Sequence, residues 1–451
     1  MKNKNKLLEG SILKSLLILS IPIIFANILQ TAYQLIDTFW VGRLGSVAVA
    51  AVSVSFPIIF FLISAGMGLT IAGAILVAQY KGKKSNKDIN HVSSQTILLI
   101  FVISIIISVI GFIFTPFLVK LIGVSSNVFK EAVSYLRVSF IGTIFMFLYM
   151  AFQSLMRGVG EVKIPMYIVL GTVILNLFLD PLFIFGFSFI PASGVSGAAI
   201  ASVITQALSA IIGIWILFKG KHGIKITLNH FKPDFKLLKK IFRIGFPASI
   251  DQSARALGMV VMTIIVATFG TITIAAYGIG TRLISFVIIP ALGLSMATST
   301  LVGQNIGSKN LERAKKTIKL SERLGFVTLT SVGIIFFIFA KAISTFFIPG
   351  QADVIQQSAL FIKIISLSFG FIGLQMTYSG VFRGAGLTSL SMFISLITVW
   401  VLRIPIAYLL SINLGYIGIW LSFLIANVVG YVVVLPWYKS GSWMHKKLIE
   451  N

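Results

Sequence analysis

Three carboxylates stand where a carboxylate is costly. Asp37, Asp180 and Asp251 are acidic residues that fall inside the long apolar runs of this 451-residue chain. An acid at membrane depth costs roughly 2.5–3.5 kcal/mol on insertion scales, which makes each a candidate for function. Asp37 follows Gln30, Tyr33 and Gln34 at i, i+3, i+4 and i+7 spacing, which on a helix reads as one polar stripe. Asn176 and Asp180 are four apart and share a helix face. Pro181 has no N–H to donate, so the carbonyl of Leu177 loses its usual partner. Carboxylates, an amide, a phenol and a free carbonyl are the materials of a proton or cation site. Two carboxylates close together and weakly hydrated do not both ionise readily, so the pair could exchange a proton near physiological pH. The same oxygens could hold Na⁺ instead. The plainer alternative puts each acid near the interface, hydrated and inert. Asp251 differs, because Arg255 is one turn on: an intrahelical ion pair competes there with a role in substrate binding or gating.

The elements that position these residues are membrane helices. The chain is 57% hydrophobic and 11% charged, too little charge to cover a soluble surface of this size. A bilayer core needs about 20 apolar residues per helix. The apolar runs give twelve spans at 14–41, 46–79, 92–119, 133–156, 164–187, 194–218, 241–268, 274–303, 318–347, 355–381, 388–411 and 416–438. The basic N-terminus before span 1 could pass for a signal peptide. It lacks a small-residue cleavage site, and the apolar run continues through Pro22 to Trp40, so it reads as a retained span.

The net charge is +25, but it is not spread evenly. Lys and Arg gather in alternate loops, at Lys81–Lys87, Lys219–Arg243, Lys309–Arg323 and Lys439–Lys447, while the loops around Ile190 and Asn413 hold almost none. That is the positive-inside pattern, and it places both termini in the cytoplasm of a multi-pass cell-membrane protein. Lipid headgroups are the expected partners of these loops, and nucleic acid is not. The chain has no cysteine, and His91, His222, His230 and His445 lie in basic loops, so neither thiolate chemistry nor an imidazole metal site is expected. No phosphate-binding G-x-x-x-x-G-K-[ST] motif occurs, so no nucleotide or other cofactor is expected and energy must come from an ion gradient.

The two halves resemble one another. With Pro22 set on Pro247, Leu44–Lys84 aligns with Phe269–Lys309 without a gap, pairing Val77/Val302, Gln79/Gln304, Gly82/Gly307 and Lys84/Lys309. A second match sets Arg157, Gly158, Gly160 and Met166 on Arg383, Gly384, Gly386 and Met392. The expected division is residues 1–218 for spans 1–6, a cytoplasmic linker at 219–240, and 241–451 for spans 7–12. Six spans per half make the repeats parallel, related by an axis along the membrane normal, which suits alternating access. The repeat does not carry the acids across. Asp37 falls on Met262, and Asp180, with Pro181 set on Pro405, falls beside Ile404 and Arg403. The acid pair is therefore confined to the first half and is not needed for the shared fold. Arg403 inside span 11 either serves structure or repels cations on its side. Pro22 and Pro247 either bend their helices or sit in first turns.

Taken together, SIPIIFANILQTAYQLIDTFWVGRLG, LMRGVGEVKIPM, LNLFLDPLFIFG, LVGQNIGSKNLERAKK and GVFRGAG resemble the multidrug and toxic compound extrusion (MATE) transporters over essentially the whole chain. The resemblance implies an all-α polytopic fold of twelve transmembrane helices, in two pseudo-symmetric six-helix bundles around a central cleft. It implies a monomeric antiporter that exports cationic or amphipathic drugs in exchange for H⁺ or Na⁺. It matches Asp37 to the acid of span 1, Asn176 and Asp180 to a pair in span 5, and Gln30 and Pro22 to a polar residue and a bending proline of span 1. Tyr135 and Ser202 are weaker candidates for the same place, and Na⁺ would fall at Asp37, Asn176 and Asp180. A large branch of the family has acids in spans 7 and 10, where this chain has Arg255 and the uncharged run Ile364–Phe382. That departure resembles the DinF-like branch and favours protons. A flippase of lipid-linked sugars would show several basic residues in the cleft, where Arg255 and Arg403 are the main candidates. A passive channel would not need Asp37. An embedded enzyme lacks a nucleophile–base pair.

Overall fold

Lipid as solvent turns the chain inside out. In the computed structural model, which describes residues 6–188, 190–446 and 448–449, helices dominate. Lys2, Lys4 and Lys447 of the basic ends, and Phe189 in the loop before Ile190, lie outside the described residues. The helix Asn86–Ile122 shows the inversion. Ser93, Ser94, Gln95, Thr96 and Ser104 are buried, while Phe101, Val102, Ile106, Ile110 and Phe114 on the same helix are exposed. In hydrocarbon, polar groups must find partners inside the bundle and apolar ones need not be covered.

Among the described residues, eleven helices are long and apolar enough to cross a membrane: α1 (Ile12–Gly42), α2 (Ser46–Gly82), α3 (Asn86–Ile122), α4 (Ser126–Val159), α5 (Lys163–Phe185), α6 (Gly194–Lys219), α7 (Phe235–Ala267), α8 (Thr271–Gly307), α9 (Leu311–Phe347), α11 (Thr388–Leu414) and α12 (Tyr416–Lys439). The remaining expected span, the tenth, is α10, broken into Ala352–Ser366 and Phe369–Gly384 and bent by 51°. No proline causes the break. Ser366 and Ser368 instead turn their hydroxyls back onto the carbonyls of Lys363 (2.8 Å) and Ile365 (2.7 Å), replacing ladder bonds with side-chain bonds. α11 is irregular too, with a π-helical segment at Ile397–Arg403 ahead of Pro405. Pro22 and Pro247 lie well inside α1 and α7 rather than in first turns, so each removes a backbone hydrogen bond.

Backbone conformation repeats wherever the sequence repeats. Lys84 and Lys309, which end α2 and α8, both take left-handed φ near 60°. That costs a lysine energy, and each turn is held the same way: Ser85 N–H to the Tyr80 carbonyl, and Asn310 N–H to the Asn305 carbonyl. Gly45 and Gly270 (φ 100° and 91°), and Gly160 and Gly386 (91° and 80°), match as well. Helix packing follows the same plan. α4 packs on α2, α3 and α6, as α10 packs on α8, α9 and α12, and α5 pairs with α6 as α11 does with α12. Gly197 and Gly418 make both pairings close: a Cβ at either would meet the carbonyl oxygen of Phe183 at 2.2 Å or of Leu410 at 2.4 Å.

The compact units are Phe25–Ser249, here the N unit, and Met1–Ile24 with Ile250–Asn451, the C unit. Their limits fall inside α1 and α7 rather than in the connection at 219–240, so each of those helices contributes to both units.

Candidate functional site

The N unit gathers a polar cluster from four helices. On α5, Asn176 and Asp180 are fully buried, and the Asn176 amide donates to Asp180 Oδ1 at 2.8 Å. Four-residue spacing on a helix puts the amide over the carboxylate. On α1, Tyr33 and Asp37 are also four apart, and both turn toward α6. Ser202 Oγ donates to Asp37 Oδ2 at 3.2 Å, and the Tyr33 hydroxyl donates to Ser202 Oγ at 3.0 Å. The Tyr33 hydroxyl is 2.7 Å from Thr205 Oγ1. With Thr205 as the donor, the bonds run one way, from Thr205 through Tyr33 and Ser202 to Asp37, each intermediate hydroxyl accepting one proton and giving one. Thr205 Oγ1 also lies 2.9 Å from the Ser202 carbonyl, so its one proton has two acceptors.

Asp37 lies within electrostatic reach of Asp180 and Asn176. Tyr135 on α4 is within electrostatic reach of both acids. Three oxygens of this cluster, Asp37 Oδ1, Asn176 Oδ1 and Asp180 Oδ2, are buried without a partner among the described residues. Buried acceptors without donors are uncommon, and three together invite a positively charged occupant. A proton shared between the carboxylates would satisfy two of them. A bare cation could be met by all three.

Spacing on the helix wheel divides the expected polar stripe. Gln30 and Gln34 form one column and Tyr33 and Asp37 the next; only the second column turns inward, and the two glutamines are on the exposed side of α1. Pro22 belongs to the C unit and is not part of the cluster. Thr205 is passed over by sequence reasoning; its place one turn beyond Ser202 is the signal that points to it.

In the C unit the charges are arranged differently. Asp251 is 2% exposed and accepts from Arg255 Nε at 2.9 Å, from Ser391 Oγ at 3.4 Å and from Ser395 Oγ. This is the intrahelical ion pair, with two α11 hydroxyls added. Arg403 donates through Nη2 to Asn427 Oδ1 at 2.9 Å, and its guanidinium lies 4.7 Å over the Phe423 ring. Met262, on which Asp37 falls in the repeat, is a buried apolar residue.

The MatE family model matches residues 22–182 and again 247–409, one stretch in each half of the repeat. "Probable multidrug resistance protein YoeA" of Bacillus subtilis (strain 168) is 30% identical over 446 residues, covering 98% of this chain and 96% of its own. "Probable multidrug resistance protein NorM" of Thermotoga maritima is 28% identical over 97% of this chain and 94% of its own. Among solved structures, an outward-facing multidrug resistance MATE family transporter of the MOP superfamily superposes with TM-score 0.91 at 25% identity, covering 99% of this chain and 100% of its own. A MATE crystallised in the bent conformation gives 0.92 at 25% identity, covering 99% of each.

Proposed function

Given that the chain belongs to the MatE family, we propose that it is a secondary antiporter which exports cationic and amphipathic organic compounds in exchange for a cation, by alternating access of its two halves. The observation behind the coupling role is the convergence of Asp37 Oδ1, Asn176 Oδ1 and Asp180 Oδ2, buried and unpartnered, in one unit. The coupling ion is a proton in this reading, because two interacting carboxylates share one most economically. Na⁺ on the same three oxygens is the second reading, favoured by the amide oxygen, which a proton does not need. The Ser202–Tyr33–Thr205 hydroxyls hold Asp37 in place and offer its Oδ2 a hydrogen bond in either case. The basic loop ends belong on the cytoplasmic side, with both termini.

The test is efflux of ethidium from proteoliposomes under an imposed pH gradient or an imposed Na⁺ gradient. Wild type should respond to the pH gradient. Asp37→Asn and Asp180→Asn should each lose the response. If both variants transport as wild type does under either gradient, the coupling site lies elsewhere. A wild-type response to Na⁺ alone selects the second reading.

A further inference from the structure

A guanidinium halfway along a membrane helix calls for an acid, and Arg403 has none: among the described residues it makes no ion pair. The acid nearest in role, Asp251, is committed to Arg255, Ser391 and Ser395. Arg255, itself paired with Asp251, is within electrostatic reach of Arg403 and offers it no counter-charge. What holds Arg403 is neutral. Asn427 accepts its Nη2 and is anchored in turn, donating to Ser368 Oγ at 2.9 Å and accepting Gln375 Nε2 on its carbonyl at 2.6 Å. Arg403 Nε is buried with no partner.

A second orphan donor belongs to the same cluster. Trp420 is fully buried, and its indole Nε1 has no acceptor among the described residues. Its ring stacks parallel to Tyr277, at 6.2 Å between centroids, and lies 4.2 Å from Phe361. Tyr277 and Phe361 both pack on Phe423, the ring beneath Arg403. Two of the backbones here are irregular. Arg403 ends the π segment of α11, and Ser368 stands at the break in α10. Irregular backbone at membrane depth is found where it is buried in protein or lines a site, and π segments are frequent at functional sites.

We propose that Arg403 and Trp420, with the rings of Phe423 and Tyr277, form a binding site for the carboxylate end of an aromatic organic anion or zwitterion. The planar guanidinium fork suits a carboxylate, and the surrounding rings suit an aromatic body. The depth of Arg403, near the middle of Thr388–Leu414, sets it far from any lipid headgroup. The site is separate from the Asp37 cluster and stands or falls without it.

The experiment uses the purified full-length protein in phosphatidylcholine nanodiscs. The probes are 1-naphthoate and its uncharged isostere 1-naphthamide, with thermal shift and tryptophan fluorescence as readouts. Wild type should bind naphthoate about tenfold or more tightly than naphthamide, as a charge-assisted contact requires. Arg403→Gln should abolish that preference, and Asp37→Asn should leave it intact. Equal binding of acid and amide by wild type, a preference that survives Arg403→Gln, or one lost in Asp37→Asn overturns the proposal. Should Arg403→Gln not fold, Trp420→Phe and Phe423→Leu keep the charge and decide the matter. Trp420→Phe should weaken naphthoate more than naphthamide and Phe423→Leu should weaken both, and wild-type binding of both probes by both variants overturns it.

Discussion

In the Asp37 cluster of the N unit, the buried atoms left without partners are acceptors: two carboxylate oxygens and an amide oxygen. Around Arg403 in the C unit they are donors: a guanidinium N–H and an indole N–H. The backbones that present them are copies. Aligning Gly194 and Gly197 of α6 with Gly415 and Gly418 of α12 pairs first glycines with φ of 55° and 57°, and it sets Ser202 on Phe423. The hydroxyl that touches Asp37 in one unit is thus the ring beneath Arg403 in the other. Shared glycines, turns and helix pairings hold the fold in both units, so the opposite charges are not required by it. At Asp251 and Arg255, by contrast, the carboxylate's bonds are closed within the protein. On the proposed function, the difference separates charges held open for a ligand, which keep atoms unpaired, from a pair whose bonds are closed within the protein.

The hardest test of that distinction is Asp37→Asn. Coupled efflux should fall by on the order of a thousandfold, equivalent to about 4 kcal/mol in rate terms. Thermal stability should not fall with it, because Asn keeps the Ser202 bond while removing a charge that faces Asp180. A parallel loss of melting temperature and transport would place Asp37 among the structural charges. Asp251→Ala should do the reverse. It strands Arg255 and two serines, so unfolding in detergent should show a loss of about 3 kcal/mol, as for a broken buried pair. Transport per folded molecule should change little. Stability at the wild-type level would mean that Asp251 is free for another task. Between these falls Asn176→Ala, which removes the amide donor of Asp180 Oδ1. A hydrogen bond to a charged group is worth about 1.5–3 kcal/mol, so coupled efflux should drop roughly ten- to a hundredfold. Unchanged efflux would take Asn176 out of the cation cluster.

Much of this was legible in the sequence because lipid is a demanding solvent. Apolar runs long enough to span, and acids that do not belong in them, stand out without any structure. The repeat was legible because its matched residues, such as Lys84 and Lys309, occupy turns whose φ few residues accept. The parts that were not legible depend on neighbours far away in the chain. The break in α10 has no proline to announce it; it rests on Ser368, which Asn427 holds from α12. The partner of Arg403 is likewise an asparagine on another helix. Gln30 and Gln34 share a spacing rule with Tyr33 and Asp37 but not a face, since a stripe three and four apart covers two adjacent columns. The unit limits within α1 and α7 are invisible to composition, because helix and hydropathy both run straight through them.

The smallest effect concerns the connection between the halves, and whether it is held by the N unit. Gln95, fully buried on α3, donates to the carbonyls of His230 (2.7 Å) and Lys232 (2.8 Å) and accepts the Asp234 N–H at 3.0 Å. Asn90 Oδ1 accepts the Lys225 N–H at 2.8 Å. Asp234 then bonds His91 at 3.0 Å and caps α7 through the Leu237 N–H at 3.1 Å. The His91 bond, and next the Leu237 amide, hold the Asp234 carboxyl below the usual carboxylate range. A depressed value means a contribution that is fully present above the unfolded pKa of about 4 and is lost as pH falls through the folded one. With the carboxyl more than a third exposed, Asp234→Asn should cost less than about 1 kcal/mol at pH 7. Gln95→Ala, which breaks three backbone attachments, should cost about 2 kcal/mol locally. Hydrogen exchange at the Asp234 and Leu237 amides reads both. Gln95→Ala should speed exchange at any pH, whereas the difference between Asp234→Asn and wild type should vanish once the pH drops well below 4. A difference that persists there would mean the carboxyl acts by shape rather than by charge. No effect from Gln95→Ala would mean the connection is not fastened to α3 at all.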